Sequence, residues 1–159
     1  LQQDFGVSLK VHTAYRVAHS GEDYYWLRKA LESGTTNIFI YEVPLNTIGK
    51  DSTIADIINM RNTIGAGLLP VEDDSKFITE AAYSPFLFSS ELDGKPTYIT
   101  KGTWEITDAW MAGPFVNYAV RDEANDRWLI LEGFTYAPSD DKRDLQFELE
   151  AILKTATIE

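Results

Sequence analysis

No cysteine occurs among the 159 residues, which excludes disulfide frameworks, thiolate nucleophiles and cysteine-ligated metals. There are two histidines, His12 and His19, both near the start, and no Gly-x-Ser-x-Gly elbow, so Ser–His catalysis has no local signature. Both histidines read as polar surface or turn residues. Positive charge is scarce: 14 Lys and Arg stand against 25 Asp and Glu, a formal net charge of −11. The basic doublets are Arg28-Lys29 and Lys142-Arg143 alone. A nucleic-acid backbone or an anionic membrane surface requires a concentrated basic patch, so neither is expected as a partner. No run of about 18 apolar residues appears, and no transmembrane segment is expected. Phosphate cradles are missing too, since Gly65-Ala66-Gly67 follows a helical stretch instead of opening one.

What is present suits a folded chain. Hydrophobic residues make up 44% and charged residues 25%, an ordinary globular balance. A domain of this size buries about 68–70% of its unfolded surface, and no linker, repeat or low-complexity tract divides the sequence. One globular domain over residues 1–159 is expected. The opening at Leu1, without a methionine or a basic, apolar leader, suggests a piece of a longer or processed product.

Aromatic and β-branched runs predict strands over Phe5 to Val11, Tyr15 to Ala18, Tyr24 to Leu31 and Asn37 to Val43, the last stopped by Pro44. Ile54, Ile57, Ile58 and Ile64 then recur at helical spacing behind the candidate caps Asp51 and Ser52, which predicts a helix over about 52–66. Phe86 to Leu92 and Pro96 to Ile106 flank Asp93-Gly94, a strong hairpin signal. Phe115 to Arg121 and Arg127 to Tyr136 read as a second hairpin. Leu145, Leu149, Ile152, Leu153 and Ala156 mark one face of a helix over about 140–156, with Ser139 as cap and Asp140 and Asp141 in the first turn. The expected fold class is therefore α+β: a single antiparallel sheet with two main helices packed on it. The order of elements resembles the sheet-and-helices fold of the photosystem PsbP proteins, which implies no function.

Candidate chemistry begins with charges on apolar faces. Arg61 falls on the stripe of Ile54 and Ile64, and strand alternation puts Glu132 on the face of Trp128, Ile130, Phe134 and Tyr136. Either the two pair beneath the helix, or both converge on one pocket that binds an anion or sugar, with Lys101 assisting. Trp104 and Trp110 flank the acidic segment Glu105 to Asp108. They read either as core or as a carbohydrate platform. Trp104 shares a face with Tyr98 and Ile106, which favours core, whereas Trp110 lies in a loop. Phe147 stands opposite the apolar stripe of the last helix and suggests a loop contact or a partner surface. The acidic stretches Glu72 to Asp74 and Asp122 to Asp126 lack the glycine and the distant glutamate of a calcium loop and read as solvated turns, so neither metal nor cofactor is expected.

Several segments together resemble a known family: Trp26-Leu27-Arg28, Ile40-Tyr41, Arg61, Lys101-Gly102-Thr103-Trp104, Met111 to Phe115, Gly133-Phe134, Tyr136-Ala137-Pro138 and Lys142-Arg143. The chain is similar, from about Phe5 to Leu153, to the domain-of-unknown-function family numbered forty-eight thirty-seven, found among Bacteroidetes cell-envelope lipoproteins. Lys101 and Ala112 depart from the family pattern, which looks like arginine and glycine there. The resemblance implies a bacterial envelope location, periplasm- or surface-facing, and a missing front carrying a lipoprotein signal. It implies no substrate, cofactor or catalytic residue.

The expected function is a non-catalytic envelope module that binds a protein partner, such as the missing N-terminal region, or a small polar ligand. The alternative is a glycan-directed hydrolase or carbohydrate-binding domain that uses exposed tryptophan and paired carboxylates, drawn from Glu105, Asp108 and Glu132. The candidate binding residues are Arg61, Lys101, Trp104, Trp110 and Glu132.

Overall fold

The computed structural model describes residues 5–11, 13–20, 24–32, 34–68, 77–79, 85–106, 111–136 and 142–159. The strands are β1 (Val7–Ser8), β2 (Arg16–Ser20), β3 (Tyr24–Leu31), β4 (Gly34–Val43), β5 (Phe77–Thr79), β6 (Phe86–Leu92), β7 (Lys95–Ile106), β8 (Met111–Asp122), β9 (Arg127–Tyr136) and β10 (Thr157–Ile158). Helix α1 (Thr53–Leu68) lies between β4 and β5, and α2 (Lys142–Leu153) between β9 and β10. Eight strands form one antiparallel sheet in the order β2-β3-β4-β9-β8-β7-β5, with β6 also paired to β7. Strands β5 and β6 share one edge of β7: Phe77 to Thr79 pair with Trp104 to Ile106, and Phe86 to Leu92 pair with Lys95 to Lys101.

The middle of the sheet is covered on both sides, which explains the near-continuous apolar run of β9, buried from Arg127 through Thr135. Alternate residues feed two cores. Ile38, Ile40, Ile99, Val116, Tyr118, Leu129 and Leu131 meet Leu149, Ile152 and Leu153 of α2 on one face. Phe39, Tyr41, Trp104, Phe115, Trp128, Ile130 and Phe134 meet Ile57 and Met60 of α1 on the other. The α1 backbone comes close to β5, since a Cβ on Gly65 would sit 2.5 Å from the Phe77 carbonyl oxygen. The start of α1 is pinned by Asp56, whose carboxylate accepts from the Gly49 N–H (2.8 Å) and the Ser52 hydroxyl (2.6 Å).

The expected α+β arrangement, one sheet carrying two helices, is not what forms, and the PsbP-like comparison goes with it. The molecule is mostly β, with more than half of the described residues in strands. A second sheet exists: β1 pairs with β10, Val7 opposite Ile158 and Ser8 opposite Thr157. The reason is local. Helix α2 ends at Leu153, earlier than its apolar period suggests, through the bonds Thr155 N–H to Ile152 O and Ala156 N–H to Leu153 O. The tail then turns back to pair with the residues after Gly6, which adopts φ +65°. The strand expected over Phe5 to Val11 shrinks to two residues accordingly. The expected cap Ser139 and first-turn residues Asp140 and Asp141 lie outside the described residues, as do Glu72 to Asp74.

Candidate functional site

Arg61 is carried inward by α1 at the position its period requires, and Glu132 by the matching face of β9. They form a bidentate pair, Nε to Oε1 at 2.5 Å and Nη2 to Oε2 at 2.9 Å. Each residue is 3% exposed. The remaining guanidinium nitrogen, Nη1, donates to the Thr79 hydroxyl, and Asn117 Nδ2 donates to Glu132 Oε1 at 2.9 Å. The guanidinium lies 3.4 Å over the Phe115 ring. Burying two charges costs several kcal/mol each and is offset only by such geometry and added hydrogen bonds. Burial, and then the negative charge of Glu132, push the neighbouring Tyr41 hydroxyl far above the usual tyrosine range.

This is an enclosed ion pair, not an open pocket. Trp104 belongs to the same core at 2% exposure, stacked on Phe77 with ring centroids 5.3 Å apart. Its indole N–H crosses Gly113 to donate to the Thr135 carbonyl at 3.1 Å. Lys101 does not join Arg61: it lies on the α2 face and pairs with Glu150 at 2.9 Å. Trp110 lies outside the described residues. Of the five expected site residues, three therefore come together in the core, and none of the three is open to a ligand. The acidic turn after β8 is engaged as well. Asp122 is fully buried, accepts from Arg127 Nε at 2.9 Å, and lies 3.3 Å from Lys95 Nζ. Burial works against its ionisation, but hydrogen bonds from Asn125, Arg127 and Lys95 outweigh that and hold its carboxyl below the usual value.

An open cleft of about 360 Å³ lies on the α1 face of the sheet, beside the loop that leads into that helix. Small-molecule pockets span about 300–1,000 Å³. One wall is Ile48, Gly49 and Lys50, and the other is Ser89 and Ser90 of β6. The floor combines Tyr98, Trp128 and Arg121. Tyr98 stacks on Trp128 (5.7 Å, 30°), whose indole N–H is tied to the Leu45 carbonyl at 2.9 Å. The Arg121 guanidinium sits 5.6 Å from the Trp128 ring and donates from Nε to Glu123 Oε1 at 2.7 Å. Residues far apart in sequence thus present aromatic surface, the Ser89 hydroxyl, two cations and one carboxylate to a single space. A sequence signal does exist: Arg121 shares a strand face with Phe115, Asn117 and Ala119 and faces Trp128 across the hairpin.

A second feature of the surface is apolar. Phe86 and Phe88 on β6 are exposed, the former at 76%, and Phe147 on α2 is exposed at 74%, in keeping with its place off the apolar stripe. No helix among the described residues is long and apolar enough to cross a membrane.

Comparison with curated proteins finds no match. A family profile described as "Domain of unknown function (DUF4837)" matches residues 1–155, nearly the whole length. Arg61, Trp104, Gly113, Phe115 and Phe134, which fall in the segments on which the sequence resemblance rests, are all buried in the structure. The chain belongs to the DUF4837 family.

Proposed function

We propose that this chain is a non-catalytic binding module that takes a small polar ligand in the cleft between the Ile48–Lys50 loop and β6. The observation that carries this reading is the state of Arg121. Among the described residues its Nε alone is hydrogen-bonded, leaving both Nη groups of a planar donor fork directed at no protein acceptor beside an aromatic floor. The hydrolase alternative finds less support. Glu132 has both oxygens committed to Arg61 and Asn117, and Glu123 is the one carboxylate among the described lining residues, whereas glycoside hydrolysis needs two across a cleft. The envelope location implied by the sequence resemblance forms part of the proposal. Recovery of the full-length product in the cytosolic fraction would overturn that part.

The test is nuclear magnetic resonance of the labelled protein with millimolar mixtures of monosaccharides and amino acids. The Gly49 and Thr97 amides and the Trp128 indole N–H should shift, while the Trp104 indole N–H, sealed in the core, should not. Shifts confined to Phe86, Phe88 and Phe147 would replace the cleft with a protein-binding surface.

A further inference from the structure

We infer that the ligand of this cleft is a sugar bearing a single carboxylate, a uronic acid or a glycan end that displays one. The inference rests on the cleft being a binding site and adds the chemical class of what it binds. Three features select that class.

The first is the donor geometry of Arg121. With Nε held by Glu123, the two Nη groups form a planar pair of donors, and a planar carboxylate accepts such a fork through two parallel hydrogen bonds. The second is the local charge. The lining holds two cations, Lys50 and Arg121, and one carboxylate, Glu123, a surplus of one positive unit. The Lys50 ammonium has no ion-pair partner among the described residues. A singly charged anion neutralises this surplus, whereas a phosphate dianion would leave an extra negative charge beside Glu123 in a protein of net charge −11. The third is the floor. Tyr98 is backed by Trp128 and half-buried, so its ring is fixed, and the exposed Ser89 stands opposite it on the same face of the sheet. A rigid aromatic surface next to hydroxyl donors and acceptors suits a ring with one apolar face and a rim of hydroxyl groups.

The roles follow from the geometry. Arg121 fixes the carboxylate and determines specificity, Tyr98 carries the ring, Ser89 bonds a ring hydroxyl, and Lys50 closes over the anion from the opposite wall. Glu123 is a positioning residue: it holds Arg121 through Nε, so that the fork faces the cleft.

The experiment titrates D-glucuronate, D-glucose and inorganic phosphate separately into the protein, following the Arg121 Nε–H, the Trp128 indole N–H and the amides of residues 48–50 and 89–98. Glucuronate should bind, with glucose at least about tenfold weaker, the loss expected when a charge-assisted bidentate contact is missing, and with phosphate weaker because it has no ring for Tyr98 and brings an extra negative charge beside Glu123. Arg121→Lys keeps the charge and removes the fork, and should weaken glucuronate about tenfold while leaving glucose unchanged. Unaltered amide dispersion establishes that the variant is folded, and Ser89→Ala, at an exposed position, supplies a second variant that should weaken both sugars alike. Equal affinity for glucose and glucuronate overturns the carboxylate while leaving the cleft a sugar site. Tighter binding of phosphate overturns the sugar. If none of the three probes shifts the cleft resonances, the uronic acid inference is overturned, and the polar-mixture screen separately decides whether the cleft binds anything at all.

Discussion

At the scale of single residues, two periodicities explain why the Arg61–Glu132 pair is legible in the amino-acid sequence. A helical period places Arg61 among isoleucines, a strand period places Glu132 among aromatics, and two charges of opposite sign aimed at one core have few alternatives to meeting. The cleft is not legible in the same way. Lys50, Ser89, Tyr98 and Arg121 share no motif, and their convergence depends on which strands become neighbours. The buried pair supports a sharp prediction. Arg61→Met and Glu132→Gln should each destabilise by about 3–5 kcal/mol, because either change strands a buried polar partner. The double variant should cost clearly less than the sum of the two, as measured by urea unfolding. Single effects below about 1 kcal/mol would mean that the pair is more hydrated than its geometry indicates.

At the scale of elements, the sequence is most readable where the chemistry is self-contained. Asp93 and Gly94 have φ of 52° and 75°, as a two-residue hairpin turn between β6 and β7 demands. Short or contextual elements leave no such mark. The three residues of β5 carry no periodic signal, and β1 and β10 exist only because each supplies the other with a partner. Gly113 shows how an element junction constrains sequence. The β8–β9 ladder ends at Phe115 and Phe134, and past that point the Trp104 indole takes over the Thr135 carbonyl. A Cβ on Gly113 would lie 2.1 Å from that carbonyl oxygen and 3.0 Å from Trp104 Nε1. Gly113→Ala should therefore push β8 and β9 apart locally and cost about 1–3 kcal/mol. Thermal melting would show the loss, and a shifted Trp104 indole resonance would place it; an unchanged resonance would refute the mechanism.

At the scale of the whole molecule, ionisation should limit stability at both ends of the pH range. Tyr41, Tyr118 and Tyr15 all have raised values, each chiefly through burial; in Tyr118 the charge of Glu150 adds to it. The folded state holds these protons while the unfolded chain releases them near pH 10, so the stability they contribute is complete below that pH and declines above it. Asp122 acts in the opposite sense. Its lowered value contributes stability above about pH 4, which is lost as the pH falls through the folded value. Denaturant midpoints measured across pH should thus fall on both flanks, with Tyr41→Phe flattening the alkaline limb and Asp122→Asn the acid limb. A Tyr41→Phe profile that parallels the parent above pH 10 would remove Tyr41 from this account.

The pairing of β1 with β10 carries a consequence for topology. The Glu159 N–H donates to the Gly6 carbonyl at 2.8 Å, and Arg127 Nη2 donates to the Phe5 carbonyl at 2.6 Å, so the first and last described stretches of backbone are held side by side. The described backbone is thereby closed on itself by a noncovalent seam between β1 and β10. A covalent cross-link between facing residues of that seam would confine the unfolded chain across nearly its whole described length, where closing the loop costs the most entropy.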